Sequence, residues 1–178
     1  MHDLVIRNAT VFDGLGSDPV DADVAVDNGR VAVIGSIEGT ALRTVDADGL
    51  SLAPGIVDLH THYDAQVTWD KQMSPSPSLG VTSAVIGNCG FGYAPCQPEM
   101  RSRAMKTMER TEAVPYEAQE KGMPWDWETF PEYLDSVDRT PKGVNVLSYV
   151  PLNPLMMHVM GLEAAKSRPA NEAERKEM

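Results

Sequence analysis

Cysteine is scarce in this sequence: Cys89 and Cys96 are the only two in 178 residues. That excludes a disulfide scaffold, and no bridge is expected in a reducing compartment. Basic side chains are also under-represented. Fifteen Lys and Arg face 26 Asp and Glu, for a formal charge of −11. Such a balance argues against nucleic acid and anionic membrane surfaces as partners, because both are polyanions. No apolar run is long enough to span a bilayer, and the opening MHDLVIRNAT has no basic segment followed by an apolar core. A cytoplasmic location is therefore the expectation. Internal repeats and low-complexity tracts are missing as well.

What is present is ample core material, with 42% apolar residues, and a length that on its own suggests about one domain. Residues 1–54 read as a small β-unit. Leu4–Arg7, Thr10–Phe12, Val24–Val26 and Arg30–Ile34 are short β-prone runs, and Asp27-Asn28-Gly29 supplies the positive φ angles of a tight hairpin. Asp46–Gly49 is a second turn, leading into Leu50–Leu52. After Pro54-Gly55 the texture changes. Ile56–Leu59, Val81–Ile86 and Val144–Tyr149 are short apolar-rich runs separated by helical stretches at Glu99–Arg110 and Trp127–Val137. This pattern predicts an α/β fold with parallel strands buried on both faces. Thr111–Pro124 reads as a long loop, and Asn171 as the cap of a final helix. Three β/α units would leave sheet edges exposed, so the chain is expected to be the front part of a larger protein.

Chemistry concentrates in Ala53-Pro-Gly-Ile-Val-Asp-Leu-His-Thr-His-Tyr-Asp64. Alternation along extended backbone turns His60 and His62 the same way, and two neutral imidazoles at that spacing can grip one divalent ion. A bare His-x-His is more often a pair of surface histidines. Here it ends an apolar run that starts with Pro-Gly and contains Asp58. Cys89, in Gly87-Asn88-Cys89-Gly90, follows the next strand. It reads equally as a small buried residue or as a thiolate completing a mixed nitrogen–sulfur site suited to zinc. Asp58 shares the face of the histidines and is a candidate hydrogen-bond partner for one of them. Cys96 reads as an inert packed thiol, and His158 with Met156, Met157 and Met160 as packing. Trp125 and Trp127 read as packing too.

LAPGIVDLHTHYDAQVTWD followed by SPSLGVTSAVIGNCGFGYAPC resembles the amidohydrolase superfamily, and more narrowly the N-acyl-D-amino-acid deacylases (D-aminoacylases). The Pro-Gly-x-x-Asp-x-His-x-His signature belongs to the superfamily at large. Gly-Asn-Cys-Gly after Gly-Val-Thr points to the D-aminoacylase branch, and WDWETFPEYLDSVD and GVNVLSYVPLNPLMMHVMG agree. The resemblance implies the first part of a metal-dependent (β/α)8 TIM-like barrel, residues 55–178, preceded by a β-sandwich segment, residues 1–54. It also implies zinc, one or two ions, with His60, His62 and Cys89 as ligands. Tyr63 and Asn88 are weaker candidates for lining the site. The substrate would be a small N-acyl amino acid, cleaved at its amide bond.

Further histidine ligands and the general-base aspartate would lie beyond Met178, so no catalytic residue is assigned within the chain. On its own the chain is expected to be inactive or nearly so. Leu79 stands where many relatives have His before Gly-Val-Thr. Two alternatives stay open: a cyclic-amide hydrolase of the hydantoinase or dihydroorotase type, and a non-catalytic metal-binding module.

Overall fold

The computed structural model describes all residues, 1–178. They divide into two compact units, Met1–Pro54 and Gly55–Met178.

The first unit is a five-stranded sheet. Its strands are β1 (His2–Val11), β2 (Val20–Asp27), β3 (Arg30–Gly35), β4 (Ala41–Asp46) and β5 (Ser51–Leu52). The order is β3-β2-β1-β4, with β5 also pairing with β1. β1 runs antiparallel to β2 and parallel to β4 and β5. The hairpin between β2 and β3 turns on Asn28 (φ 51°) and Gly29 (φ 71°), both positive as a two-residue turn of this hand requires. Leu4–Arg7 and Thr10–Phe12 belong to one strand rather than two. Asn8, at φ 56°, interrupts the register between Ile6 and Ala9, which makes the strand read as two runs. β4 had no sequence signal, and of its large apolar residues Leu42 is 70% exposed.

The second unit holds three parallel strands, β6 (Ile56–Asp58), β7 (Val81–Ile86) and β8 (Asn145–Ser148), in the order β6-β7-β8. Only the central strand is enclosed. Val81, Ala84, Val85 and Ile86 are buried, whereas Ile56, Val57 and Leu59 are more than half exposed. The exposure of β6 agrees with the expectation that three β/α units leave sheet edges uncovered. Pro54-Gly55 has a steric reason at its glycine. A Cβ there would lie 2.0 Å from Thr82 Cγ2 on β7, so only glycine lets β6 approach its neighbour.

Six α-helices complete the unit, three between β7 and β8 and three after β8: α1 (Arg101–Glu112), α2 (Tyr116–Gly122), α3 (Phe130–Arg139), α4 (Leu152–Met160), α5 (Leu162–Ser167) and α6 (Glu172–Glu177). Thr129 and Glu132 form a capping box at α3, as do Asn171 and Glu174 at α6. The span read as a loop, Thr111–Pro124, contains α2. Its Gln119 is fully buried; its amide nitrogen donates to the Met105 and Val114 carbonyls, and its oxygen accepts from Tyr93 Oη at 2.8 Å. The bonds to Tyr93 and Met105 dock this helix, whose Glu117–Lys121 run is itself of good helix formers. The core gathers Val67, Met73, Ile86, Tyr93, Trp127 and Tyr133, and Trp127 Nε1 donates to the Tyr93 carbonyl at 2.9 Å. His158 is exposed on α4, and the methionines around it are half-buried rather than core.

Candidate metal centre

The backbone just after β6 is pinned by the residue between the two histidines. Thr61 is buried; its N–H and its hydroxyl both donate to the Val85 carbonyl of β7, each at 2.9 Å. Side-chain alternation then sends His60 and His62 to the opposite, exposed side. Their rings stack with centroids 5.0 Å apart. After β7, Gly87 takes φ 76°, and a Cβ there would meet the Tyr149 carbonyl oxygen at 2.5 Å. The chain can therefore turn sharply at that point and carry Cys89 back toward the histidines. One ligand atom from each of His60, His62 and Cys89 falls within a group whose members all lie within 4.8 Å of one another. A tetrahedral zinc shell at roughly 2.0–2.3 Å sets donors about 3.3–3.6 Å apart, so small rotations of the three side chains close on one ion.

Three sequence candidates have other occupations. Asp58 accepts from the His60 backbone N–H at 3.2 Å, which fixes the loop and leaves the imidazole untouched. Tyr63 packs against the core, with its hydroxyl 2.7 Å from Ser76 Oγ. Asn88 donates from its side chain to the Leu59 carbonyl at 3.0 Å, tying the β7 loop to the β6 loop. Each of these bonds shapes the two loops that bring the donors together.

Two carboxylates lie beside the donors, and neither was singled out from the sequence. Asp64 is 2% exposed. Burial pushes its carboxyl up to about 7; the Gly87 N–H opposes that rise and the negative Glu112 adds to it. Glu112, the last residue of α1, has a side chain only 5% exposed and pairs with His62 Nδ1. Its other oxygen is 3.8 Å from Cys89 Sγ. Asp64 carried a faint signal, since it continues the i, i+2, i+4 alternation from His60 and His62. Glu112 sat in a stretch with none. Burial raises the Cys89 thiol above its ordinary range, and the charges of Glu112 and Asp64 raise it further. The local field is thus negative and holds the proton on sulfur. A dication placed among the donors would reverse that balance, expel the proton and satisfy the carboxylates. The donor set and its electrostatics fit a soft-to-borderline divalent metal such as zinc.

Residues 43–169 match the model of the amidohydrolase family. The chain belongs to that family. Within it, the chain is 34% identical over 159 residues to a D-aminoacylase of Alcaligenes xylosoxydans xylosoxydans, covering 89% of this chain and 31% of the relative. An N-acyl-D-aspartate deacylase of the same organism is also 34% identical, over 99% of this chain and 33% of its own length. Among solved structures, the N-acyl-D-glutamate deacylase of Bordetella bronchiseptica, complexed with zinc and a phosphonate mimic of the tetrahedral intermediate, superposes with a TM-score of 0.77 and 25% identity. That match covers 98% of this amidohydrolase chain and 34% of the deacylase. The chain spans about a third of the length of the curated relatives it matches. Its mixed α/β structure is that of the N-terminal region of such deacylases.

Proposed function

We propose that His60, His62 and Cys89 are zinc ligands, and that the protein carrying them hydrolyses the amide bond of N-acyl-D-amino acids. The observation that carries this reading is the convergence of three donor atoms of zinc-binding type, all within 4.8 Å of one another, from the loops after two adjacent parallel strands. The similarity to D-aminoacylase and to two deacylases of acidic N-acyl-D-amino acids supports the substrate class. The zinc-complexed deacylase supports the metal. Cys89 beside the histidine pair favours the deacylase branch over a cyclic-amide hydrolase.

A zinc ion held there supplies Lewis acidity, which polarises an acyl carbonyl and acidifies water. The chain's own residues do the rest of the local work. The imidazoles of His60 and His62 offer neutral lone pairs. Cys89 gives up its proton to become a ligand, so metal uptake is coupled to proton release. Residues 1–178 alone are expected to hydrolyse far more slowly than a D-aminoacylase, since they correspond to about a third of such an enzyme.

The test is zinc titration of the purified protein against a chromophoric chelator, beside release of free amine from N-acetyl-D-amino acids. One tight zinc that is lost on Cys89→Ser and on the double substitution His60→Ala/His62→Ala supports the reading. Zinc uptake indifferent to all three positions contradicts it.

A further inference from the structure

Glu112 is placed where a carboxylate is electrostatically unwelcome. It ends α1, where the helix dipole is negative, and Ala113 at φ 55° closes the helix directly after it. Its side chain is 95% removed from solvent, and no Lys or Arg pairs with it; its ionic partner is His62. A buried carboxylate without a cationic partner is costly, and a fold retains one at such a place when something else compensates. Both of its oxygens face donors of the candidate centre, one on His62 Nδ1 and one 3.8 Å from Cys89 Sγ.

We propose that Glu112 is a positioning residue for the metal, an inference that rests on the zinc-site reading above. A carboxylate oxygen accepts from the ring nitrogen it faces, which makes Nδ1 of His62 the donor of the pair. Nδ1–H of His62 donates to Glu112, and Nε2 is left as the lone pair that His62 turns to the metal. The other oxygen of the same carboxylate lies 3.8 Å from Cys89 Sγ, so one side chain faces two of the donors. A neutral imidazole backed by a carboxylate is a stronger and better-oriented ligand, and losing such a partner elsewhere weakens metal binding by about 10–100-fold. The arrangement joins α1 to the two donor loops, so the helix after β7 takes part in the site through a single side chain.

The experiment compares wild type, Glu112→Ala and Glu112→Gln in the full chain. The readouts are zinc affinity by chelator competition, the visible spectrum with cobalt(II), and the tautomer of His62 in the metal-free protein by nitrogen-15 NMR. Zinc affinity should fall about 10–100-fold in Glu112→Ala. Glu112→Gln should fall less, because its carbonyl still accepts from Nδ1–H without the charge. The sulfur-to-cobalt band should persist in both, and the His62 tautomer should shift from Nδ1–H in Glu112→Ala. Metal-free melting temperature of Glu112→Gln should be unchanged or higher, since a buried charge has gone.

Affinity within twofold of wild type in Glu112→Ala overturns the proposal. So does a cobalt spectrum showing that one oxygen ligand has been lost, which would make Glu112 a ligand itself. If wild type shows no sulfur-to-cobalt band that Cys89→Ser removes, the zinc-site reading fails and the role of Glu112 fails with it. If that band is present and Glu112→Ala changes nothing, only the role of Glu112 fails.

Discussion

Residues 1–54 keep every acidic side chain at least partly exposed, whereas residues 55–178 bury Asp64 and Glu112. In the first unit, Asp23 lies below the usual carboxylate range chiefly because the Asn8 N–H donates to it, with Arg7 adding to the effect. Asp27 is lowered first by the His2 side chain, and Asp46 first by the Asn8 side chain. These groups are partly or fully exposed and tie strands and turns. In the second unit Asp64 and Glu112 are buried, and Asp64 is pushed up instead of down. The cores differ as well. The first unit has two small clusters, around Val5 with Ala25 and Ile37, and around Ala9 with Val11, Val24 and Ala47. The second has one cluster built on Trp127, Tyr93 and Tyr133, whose rings meet edge to face or tilted around Trp125. A large aromatic core can hold carboxylates out of water; a small sheet with exposed faces keeps its charges at the surface.

The contrast breaks most clearly at Trp127. Trp127→Ala removes a 1%-exposed indole and its bond to the Tyr93 carbonyl. It should cost about 3–5 kcal/mol in chemical denaturation. A loss below about 1 kcal/mol would mean the aromatic cluster is not what stabilises this unit. Val5→Ala, in the small core of the first unit, removes a fully buried residue but only two methyl groups. About 2 kcal/mol is expected by the same measurement. An effect as large as that of Trp127 would erase the distinction between the cores.

Acid sharpens the comparison of charges. Asp23, Asp27 and Asp46 have folded values below the unfolded value of 3.8, so each contributes stability that is present above that value. The contribution is lost as pH falls through the folded values. Amide protection factors in β1 and β2 should therefore be lower below about pH 4 than at pH 6, and Asp23→Asn should flatten that dependence. The smallest effect is expected at Glu174. Arg168 and the Asn171 N–H hold its carboxyl down to about 2. Replacing Arg168 with Ala should raise the Glu174 titration midpoint, followed by NMR. Because the pair lies at the surface, global stability should barely respond.

Much of this was legible in the residues. Asn28-Gly29 announced its hairpin because its turn demands two positive φ angles, and Pro54-Gly55 marked the boundary at which the units divide. Alternation was enough to set His60 and His62 on one side, and the strand-then-glycine order brought Cys89 near them. The elements that escaped are those decided by distant contacts. α2 is docked through Gln119, which is satisfied by Val114 nearby and by Tyr93 and Met105 from outside the segment. Asp58 was expected at an imidazole and instead binds the His60 N–H, a two-residue turn that competes with any longer reach. Glu112 was invisible for the same reason as α2. Its part in the site depends on where α1 stops, and helix ends are the least readable feature of a sequence.

The central claim is that two imidazoles and one sulfur of this chain bind a common ion. X-ray absorption at the zinc edge of the zinc-loaded protein tests it most directly. One sulfur at about 2.3 Å and at least two imidazole nitrogens at about 2.0–2.1 Å are expected, with the sulfur shell vanishing in Cys89→Ser. A shell of oxygen and nitrogen alone, the same in wild type and Cys89→Ser, would contradict the account.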